Sequence, residues 1–198
     1  METETFAVVI LAAGASTRLG RPKQLLKFQQ QSLIRRLVSE AKKVTATVIV
    51  VTGSIHNAIE NELKGEPVLI VQNKDWAQGM GSSIKEGMQN LKSLESNAGA
   101  VILAVCDQPY VTAALFTAMI DLHKRSGKRI VACSYADSLA TPVLFERSYF
   151  ENLLQLNGRE GAKKLLQQYT NDVAFLPFPQ GVIDIDTASD YEALLLHE

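Results

Sequence analysis

Seven short apolar runs punctuate the chain: Phe6–Ala13, Thr47–Thr52, Val68–Val71, Ala100–Val105, Ile130–Ser134, Pro142–Phe145 and Val173–Leu176. Most are unbroken blocks of Val, Ile and Leu, the pattern of strands covered on both faces. Between them the apolar positions recur every three or four residues. Leu33, Ile34, Leu37, Val38 and Ala41 form one helical stripe, and Ile84, Met88 and Leu91 a second. Leu115, Phe116, Met119, Ile120 and His123 form a third. Strand and helix alternate, which predicts an α/β fold with a mainly parallel sheet. Ligands of such sheets collect at the carboxyl ends of the strands, so the chemistry is expected in the loops after Ala13, Val71, Val105 and the later strands.

The stretch from Lys92 to Gly99 reads as a helix end and polar connection. Beyond Ala136 the alternation becomes irregular, and we expect a smaller lobe folded over the binding edge of the sheet. The expectation is one domain over 1–198, with a core at 1–135 and a smaller lobe and closing C-terminal helix at 136–198. No repeat, low-complexity segment or Pro/Gly/Ser-rich linker divides it.

Composition narrows the function classes. Hydrophobic residues make up 46% of the 198 and charged residues 21%, an ordinary globular balance. A formal net charge of −1 gives no global attraction to nucleic acid or anionic lipid, so any anion binding must be local. No apolar segment reaches the roughly 20 residues of a membrane span. The acidic start Met1-Glu2-Thr3-Glu4-Thr5 leads us to expect no signal peptide and a cytoplasmic protein. Cys106 and Cys133 lie inside apolar runs and read as buried, reduced thiols.

Five places carry candidate chemistry. After the first run, Gly14 opens a loop of small residues that carries Arg18, Arg21 and Lys23. Gly14 and Gly20 can take positive φ and turn backbone N–H groups toward an anion, with Arg18 and Lys23 to neutralise it. The same residues also describe a solvated basic turn. The loop is neither a Walker A nor a three-glycine dinucleotide fingerprint. Asp107, in Val105-Cys106-Asp107-Gln108-Pro109, ends a buried strand and suits a magnesium ligand, or a turn or cap ahead of a helix at Val111–Arg125. Asp184 and Asp186 alternate with apolar residues and would share one face of a strand, while Thr187 and Asp190 have near capping-box spacing. Finally, Trp76, Gly79, Gly81, Ser82 and Ser83 precede a helix running to about Leu94, whose free N–H groups and hydroxyls could meet a base or phosphate. Gly158-Arg159-Glu160-Gly161 repeats the glycine-basic combination before another helix.

Taken together and in order, these motifs carry a resemblance. Leu11-Ala12-Ala13-Gly14-x-Ser16-x-Arg18-x-Gly20-x-Pro22-Lys23 resembles the signature loop of the cytidylyltransferase-type nucleotidyltransferases. More narrowly, the chain is similar to the molybdenum-cofactor cytidylyltransferases and their molybdopterin guanylyltransferase relatives. Asn73-x-x-Trp76-x-x-Gly79-Met80-x-x-Ser83-Ile84, Asp107-Gln108-Pro109, Pro142-x-x-Phe145, Gly158-x-x-Gly161-Ala162-Lys163 and Asp184-Ile185-Asp186-Thr187 complete the series. The resemblance implies a Rossmann-like sheet with helices on both faces, of the nucleotide-diphospho-sugar transferase type, binding a nucleoside triphosphate and Mg²⁺. It implies that Leu11, Ala12, Ala13, Gly14, Ser16, Arg18, Lys23, Gly79 and Ser83 bind the nucleotide, and that Arg18, Lys23 and Asp107 are catalytic. Asp107 and Asp186 would hold the metal, and Pro142, Phe145 and Gly161 would meet the acceptor.

The activity implied is transfer of a nucleoside monophosphate to the phosphate of molybdopterin, with release of pyrophosphate and a molybdoenzyme as possible recipient of the product. Ala13 stands where guanylyl-transferring relatives often carry glycine, which favours CTP. Two positions depart from the family pattern: Ala140 replaces a glycine before the Thr141-Pro142 pair, and Ala188 replaces a proline after Asp186-Thr187. The alternatives are a sugar-phosphate or other small-acceptor nucleotidyltransferase, a non-catalytic molybdenum-cofactor binding or maturation factor, and, most remotely, a nucleotide-binding dehydrogenase.

Overall fold

All seven apolar runs form strands, and they lie in one seven-stranded sheet in a computed structural model that describes residues 5–94, 96–158 and 160–196. Arg159, part of the second glycine-basic combination, lies outside the described residues. The sheet comprises β1 (Thr5–Ala12), β4 (Thr47–Thr52), β5 (Leu69–Gln72), β6 (Ala98–Val105), β7 (Ile130–Tyr135), β8 (Ser138–Glu146) and β9 (Val173–Pro177). Their spatial order is β5-β4-β1-β6-β8-β7-β9. β1 pairs in parallel with β4 and β6, β4 with β5, and β7 with β9, while β8 runs antiparallel between β6 and β7. β6 begins at Ala98, so the expected polar connection is shorter than the sequence suggested; Ala98 and Ala100 are small enough to be buried at the start of a strand.

Alternation along β1 explains the layering. Phe6, Val8 and Ile10 point into one core and Ala7, Val9 and Leu11 into the other. Helices α1 (Leu33–Lys42), α2 (His56–Glu62) and α4 (Ala113–Ser126) bury apolar faces in the first core. Helices α3 (Met80–Ser93), α5 (Phe150–Leu154) and α6 (Ala162–Gln168) cover the other. The chain is therefore an α/β sheet with helices on both faces. Cys106 and Cys133 are buried free thiols. Burial pushes both up to about 12, with the Asp107 charge adding to the effect at Cys106.

A third, smaller core lies beneath the loop that follows β1. It joins Leu19, Leu26, Phe28 and Leu33 to Ile185 and Leu194. Phe28 belongs to a two-stranded hairpin, β2 (Lys27–Phe28) with β3 (Gln31–Ser32), that the sequence pattern did not reveal. Leu194 lies on α7 (Ala188–Leu195), which starts with a full Thr187–Asp190 capping box. Residues after the ninth strand thus return to the loop at the opposite end of the sequence.

Candidate active site

The Gly14 loop is shaped from within by Gln24, a residue not expected to matter, and by Ser16, which was expected at the nucleotide. Gln24, 1% exposed, donates from Nε2 to Ala12 O at 2.9 Å and Gly14 O at 2.7 Å. Ser16 Oγ accepts from Lys23 N at 3.1 Å, and Ser16 O accepts from the N–H groups of Leu19 and Gly20. Gly20 takes positive φ as expected, but Gly14 does not; Ser16, at φ 53°, makes the other left-handed turn. Ser16 is therefore a brace of the loop and lies outside the cleft lining. Arg21 turns away and stacks on Tyr191 at 5.0 Å.

At the loop's end Lys23 projects between two carboxylates. Its Nζ lies 2.6 Å from Asp107 Oδ2 and 3.0 Å from Asp186 Oδ1. Arg18, 71% exposed, reaches the other oxygen of Asp186 at 2.6 Å. The side chains of Lys23 and Asp107 are only 14% and 19% exposed, so this is a partly buried ion cluster rather than a surface pair. Burial alone lowers the Lys23 ammonium, but the charges and hydrogen bonds of Asp107 and Asp186 more than reverse this and hold it well above its ordinary value. The Lys23 hydrogen bond, with help from Arg18, holds the Asp186 carboxyl below the usual carboxylate range.

Convergence of residues so distant in sequence has a local cause. Asp107 follows β6, where the apolar run stops and the backbone leaves the sheet. Ile185 N donates to Asp107 O at 3.1 Å, and the Ile185 side chain is fully buried in the third core. That anchor sets Asp186 on the Lys23 side. The segment is extended but not a strand of the sheet. The helix after Asp107 is capped by Thr112, whose side chain accepts from Leu115 N. Asp107 is consequently not that helix's cap, and its Oδ1 is buried with no hydrogen-bond partner among the described residues.

A buried, unpartnered carboxylate oxygen beside a second carboxylate is a hard-oxygen donor set, and it fits Mg²⁺ or Mn²⁺. Among the described residues no group of three or more His, Cys, Asp or Glu forms a metal cage. Asp107 and Asp186 would therefore share such an ion with ligand oxygens and water.

Beside this cluster opens a cleft of about 330 Å³ that unites the first three motifs. Leu11, Ala12, Ala13, Gly14, Lys23, Gly79 and Ser83 all line it, together with Gln24, Trp76, Met80 and Asp107. Its far wall is the start of α3. Asn73, buried after β5, donates to Ser82 Oγ at 2.8 Å and Ser83 Oγ at 3.0 Å, fixing both hydroxyls. Gly79 (φ 120°) makes the turn into the helix. A Cβ on Gly53 would sit 2.3 Å from Ala13 O and 2.9 Å from Trp76, so only glycine lets the loop and the indole approach. Gln24 and Gly53 escaped the sequence reading, the one available signal being a lone amide between Lys23 and Leu25, while Asn73 was quoted only as the first position of its motif and given no role.

The residues expected at an acceptor are placed differently. Phe145 is fully buried, pairs with Val101 and Ile130 across the sheet, and packs on Tyr149, so it is a core residue and the expectation is corrected. Pro142 is buried as well and borders neither cleft. The register between β7 and β8 shifts after Ala132–Val143 to Cys133–Ala140, and this bulge presents Thr141 instead to a second cleft of about 280 Å³. Gly161 borders neither cleft and lies against Met80, whose sulfur would be 3.1 Å from an added Cβ. Met80, Val105 and Asp107 line both clefts.

A strand-ending loop with cations, a carboxylate pair and a cleft at the carboxyl edge of the sheet define a nucleotide-binding transferase site. Residues 8–173 match the MobA-like NTP transferase domain, and the chain belongs to this family of nucleotidyltransferases, which is related to enzymes of molybdenum-cofactor biosynthesis. It is 32% identical over 144 residues, 71% of this chain and 67% of the other, to nicotine blue oxidoreductase of Paenarthrobacter nicotinovorans. It is 31% identical over 78 residues, 39% of this chain and 41% of the other, to the molybdenum cofactor cytidylyltransferase of Escherichia coli. Rv0371c of Mycobacterium tuberculosis, solved as a complex with manganese, aligns over 99% of this chain and all of its own at 27% identity, with a TM-score of 0.77.

Proposed function

We propose that this protein transfers the nucleoside monophosphate of CTP to the phosphate of molybdopterin or molybdenum cofactor and releases pyrophosphate, with Mg²⁺ as its metal. The observation that carries the reading is Lys23 Nζ within hydrogen-bonding distance of both Asp107 and Asp186 at the edge of the Gly14–Ser83 cleft. The name of the Escherichia coli relative supports the choice of acceptor and base. Ala13 supports the base: its methyl narrows the cleft wall where a glycine would leave room.

In this reading the triphosphate lies along the Gly14 loop, held in shape by Gln24 and Ser16. Lys23 and Arg18 exchange their carboxylate partners for phosphate oxygens. Gly79 and Ser83 lie against base and sugar. Bound at Asp107 and Asp186, Mg²⁺ supplies neutralisation of charge on the triphosphate. An oxygen of the acceptor phosphate forms a bond to the α-phosphorus in line, while the bond from that phosphorus to the α,β-bridging oxygen breaks. The electron pair of that bond leaves with pyrophosphate. No side-chain nucleophile takes part; positioning and charge neutralisation supply the rate. The acceptor enters from the side of Met80 and Thr141, over the 136–198 lobe. The setting is the cytoplasm, where a molybdoenzyme receives the product.

The test is pyrophosphate release with Mg²⁺, each of CTP, GTP and UTP, and molybdopterin. We expect CTP to be preferred and Asp107→Ala to lower turnover about 10³-fold. Normal release from a folded Asp107→Ala variant ends the reading. Release with glucose 1-phosphate and none with molybdopterin moves it to a sugar-phosphate acceptor. The Paenarthrobacter relative's name raises hydride transfer as a second reading, which NADH oxidation without pyrophosphate would favour.

A further inference from the structure

We infer that Met80 decides between transfer and hydrolysis: its thioether is a movable apolar partition at the border of the two clefts, and it keeps water off the α-phosphorus until an acceptor covers that atom. The inference rests on the nucleotidyltransferase reading and adds to it a competing nucleophile, water, that the site must reject.

Met80 opens α3 at the edge shared by the clefts of about 330 and 280 Å³. Val105 and Asp107 border both clefts as well, but neither is free to cross the opening. Val105 ends β6 in register with Leu11 of β1, and Asp107 is held by Lys23 at 2.6 Å. The backbone beneath Met80 is equally fixed. Gly81 N donates to Gly158 O at 3.0 Å, and a Cβ on Gly81 would lie 2.7 Å from Glu160 O. Ser82 Oγ donates to Gly79 O at 2.8 Å, on the other side of Met80. What remains mobile is the Met80 side chain itself.

That side chain has the properties of a partition. Met80 is 44% exposed, and an unbranched thioether with three rotatable bonds adapts to whatever lies beside it. Behind it stands Gly161, where an added Cβ would be 3.1 Å from the sulfur, so the chain swings toward the clefts and not back into the lobe. Its sulfur is only a weak acceptor, which gives an approaching water nothing by which to be oriented. Water needs no binding site of its own, so an open border favours it over any acceptor. In that side reaction a water oxygen bonds to the α-phosphorus and the bond to the α,β-bridging oxygen breaks. Pyrophosphate leaves with the electron pair, the water proton passes to solvent, and free nucleoside monophosphate remains. An apolar group over the border suppresses this step by excluding water, and yields when an acceptor of matching size displaces it.

The test follows the full chain with Mg²⁺ and the triphosphate it turns over, with and without molybdopterin, and measures free monophosphate against transferred nucleotide. Wild type should release little free monophosphate. Met80→Ala should raise the ratio of hydrolysis to transfer about tenfold, and Met80→Leu, which keeps the apolar bulk, should return it most of the way. Gly161→Ala presses on the sulfur and should shift the ratio in wild type but not in Met80→Ala. With isotope-labelled methionine methyls, the Met80 resonance, identified by its loss in Met80→Ala, should move on adding triphosphate and again on adding molybdopterin. Circular dichroism checks folding; if Met80→Ala does not fold, the methyl resonance and the Gly161→Ala shift decide. An unchanged ratio in folded Met80→Ala, an equal rise in Met80→Leu, a Gly161→Ala shift that survives without Met80, or a methyl resonance blind to either ligand overturns the inference and leaves the transferase reading standing. Met80-dependent hydrolysis with glucose 1-phosphate as the acceptor in place of molybdopterin leaves the inference standing and moves the acceptor. No pyrophosphate release under any condition removes both.

Discussion

Gln24 shows how much one side chain can decide. Its amide closes two backbone carbonyls that the turn after β1 leaves unpaired, so Gln24→Ala should cost about 2 kcal/mol, readable as a lower urea midpoint. A titration argument applies at Tyr149, which burial and the hydrogen bond to Asp172 push up to about 12. Its contribution to stability is full below the ordinary phenol value and is lost as pH rises through about 12. Among the five tyrosines, a phenol ionising near 12 should therefore be seen by ultraviolet absorbance, and Tyr149→Phe should remove it. At this scale the sequence was partly legible. Lys23, Asp107 and Asp186 carry the chemistry openly, because charged residues beside apolar runs stand out. Gln24 does not, because an amide earns its role only from the geometry of the carbonyls the folded loop brings to it. Phe145 misled for the converse reason: a motif residue can be kept for packing as well as for contact.

Among elements, α3 is the one whose position the site most depends on, since it carries Met80 and Ser83 at its start. Gly87 lets it press against the sheet: an added Cβ would be 2.5 Å from Val9 Cγ1 and 3.1 Å from Val51 Cγ2. Alanine gains about 1 kcal/mol in helix propensity over glycine, but overpacking costs 1–3 kcal/mol or more. Gly87→Ala should thus be destabilising, by about 1 kcal/mol net, and a raised melting temperature would contradict this packing. Such a close approach is invisible in the helical stripe, which records the large residues and passes over the gap between them. Strands were the easiest elements to foresee, since runs covered on both faces announce themselves. The β2–β3 hairpin was not, because two-residue strands carry no pattern.

For the molecule as a whole, the site exists because the two ends of the chain meet. Ile185 is the joint, with its side chain in the third core and its N–H on Asp107 O. Ile185→Ala should cost about 2–4 kcal/mol and also loosen Asp186, so that Mn²⁺ gives a smaller rise in melting temperature than in wild type. Local reading could name both carboxylates and could not bring them together; that required the order of the strands and the path of the last segment. The ammonium of Lys23 between them has one more implication. With Arg18 it balances the pair, so the resting protein shows neither reactant a bare charge. Triphosphate and divalent ion then arrive by trading partners within an already neutral cluster, each making room for the other, and alone either would find the exchange half complete.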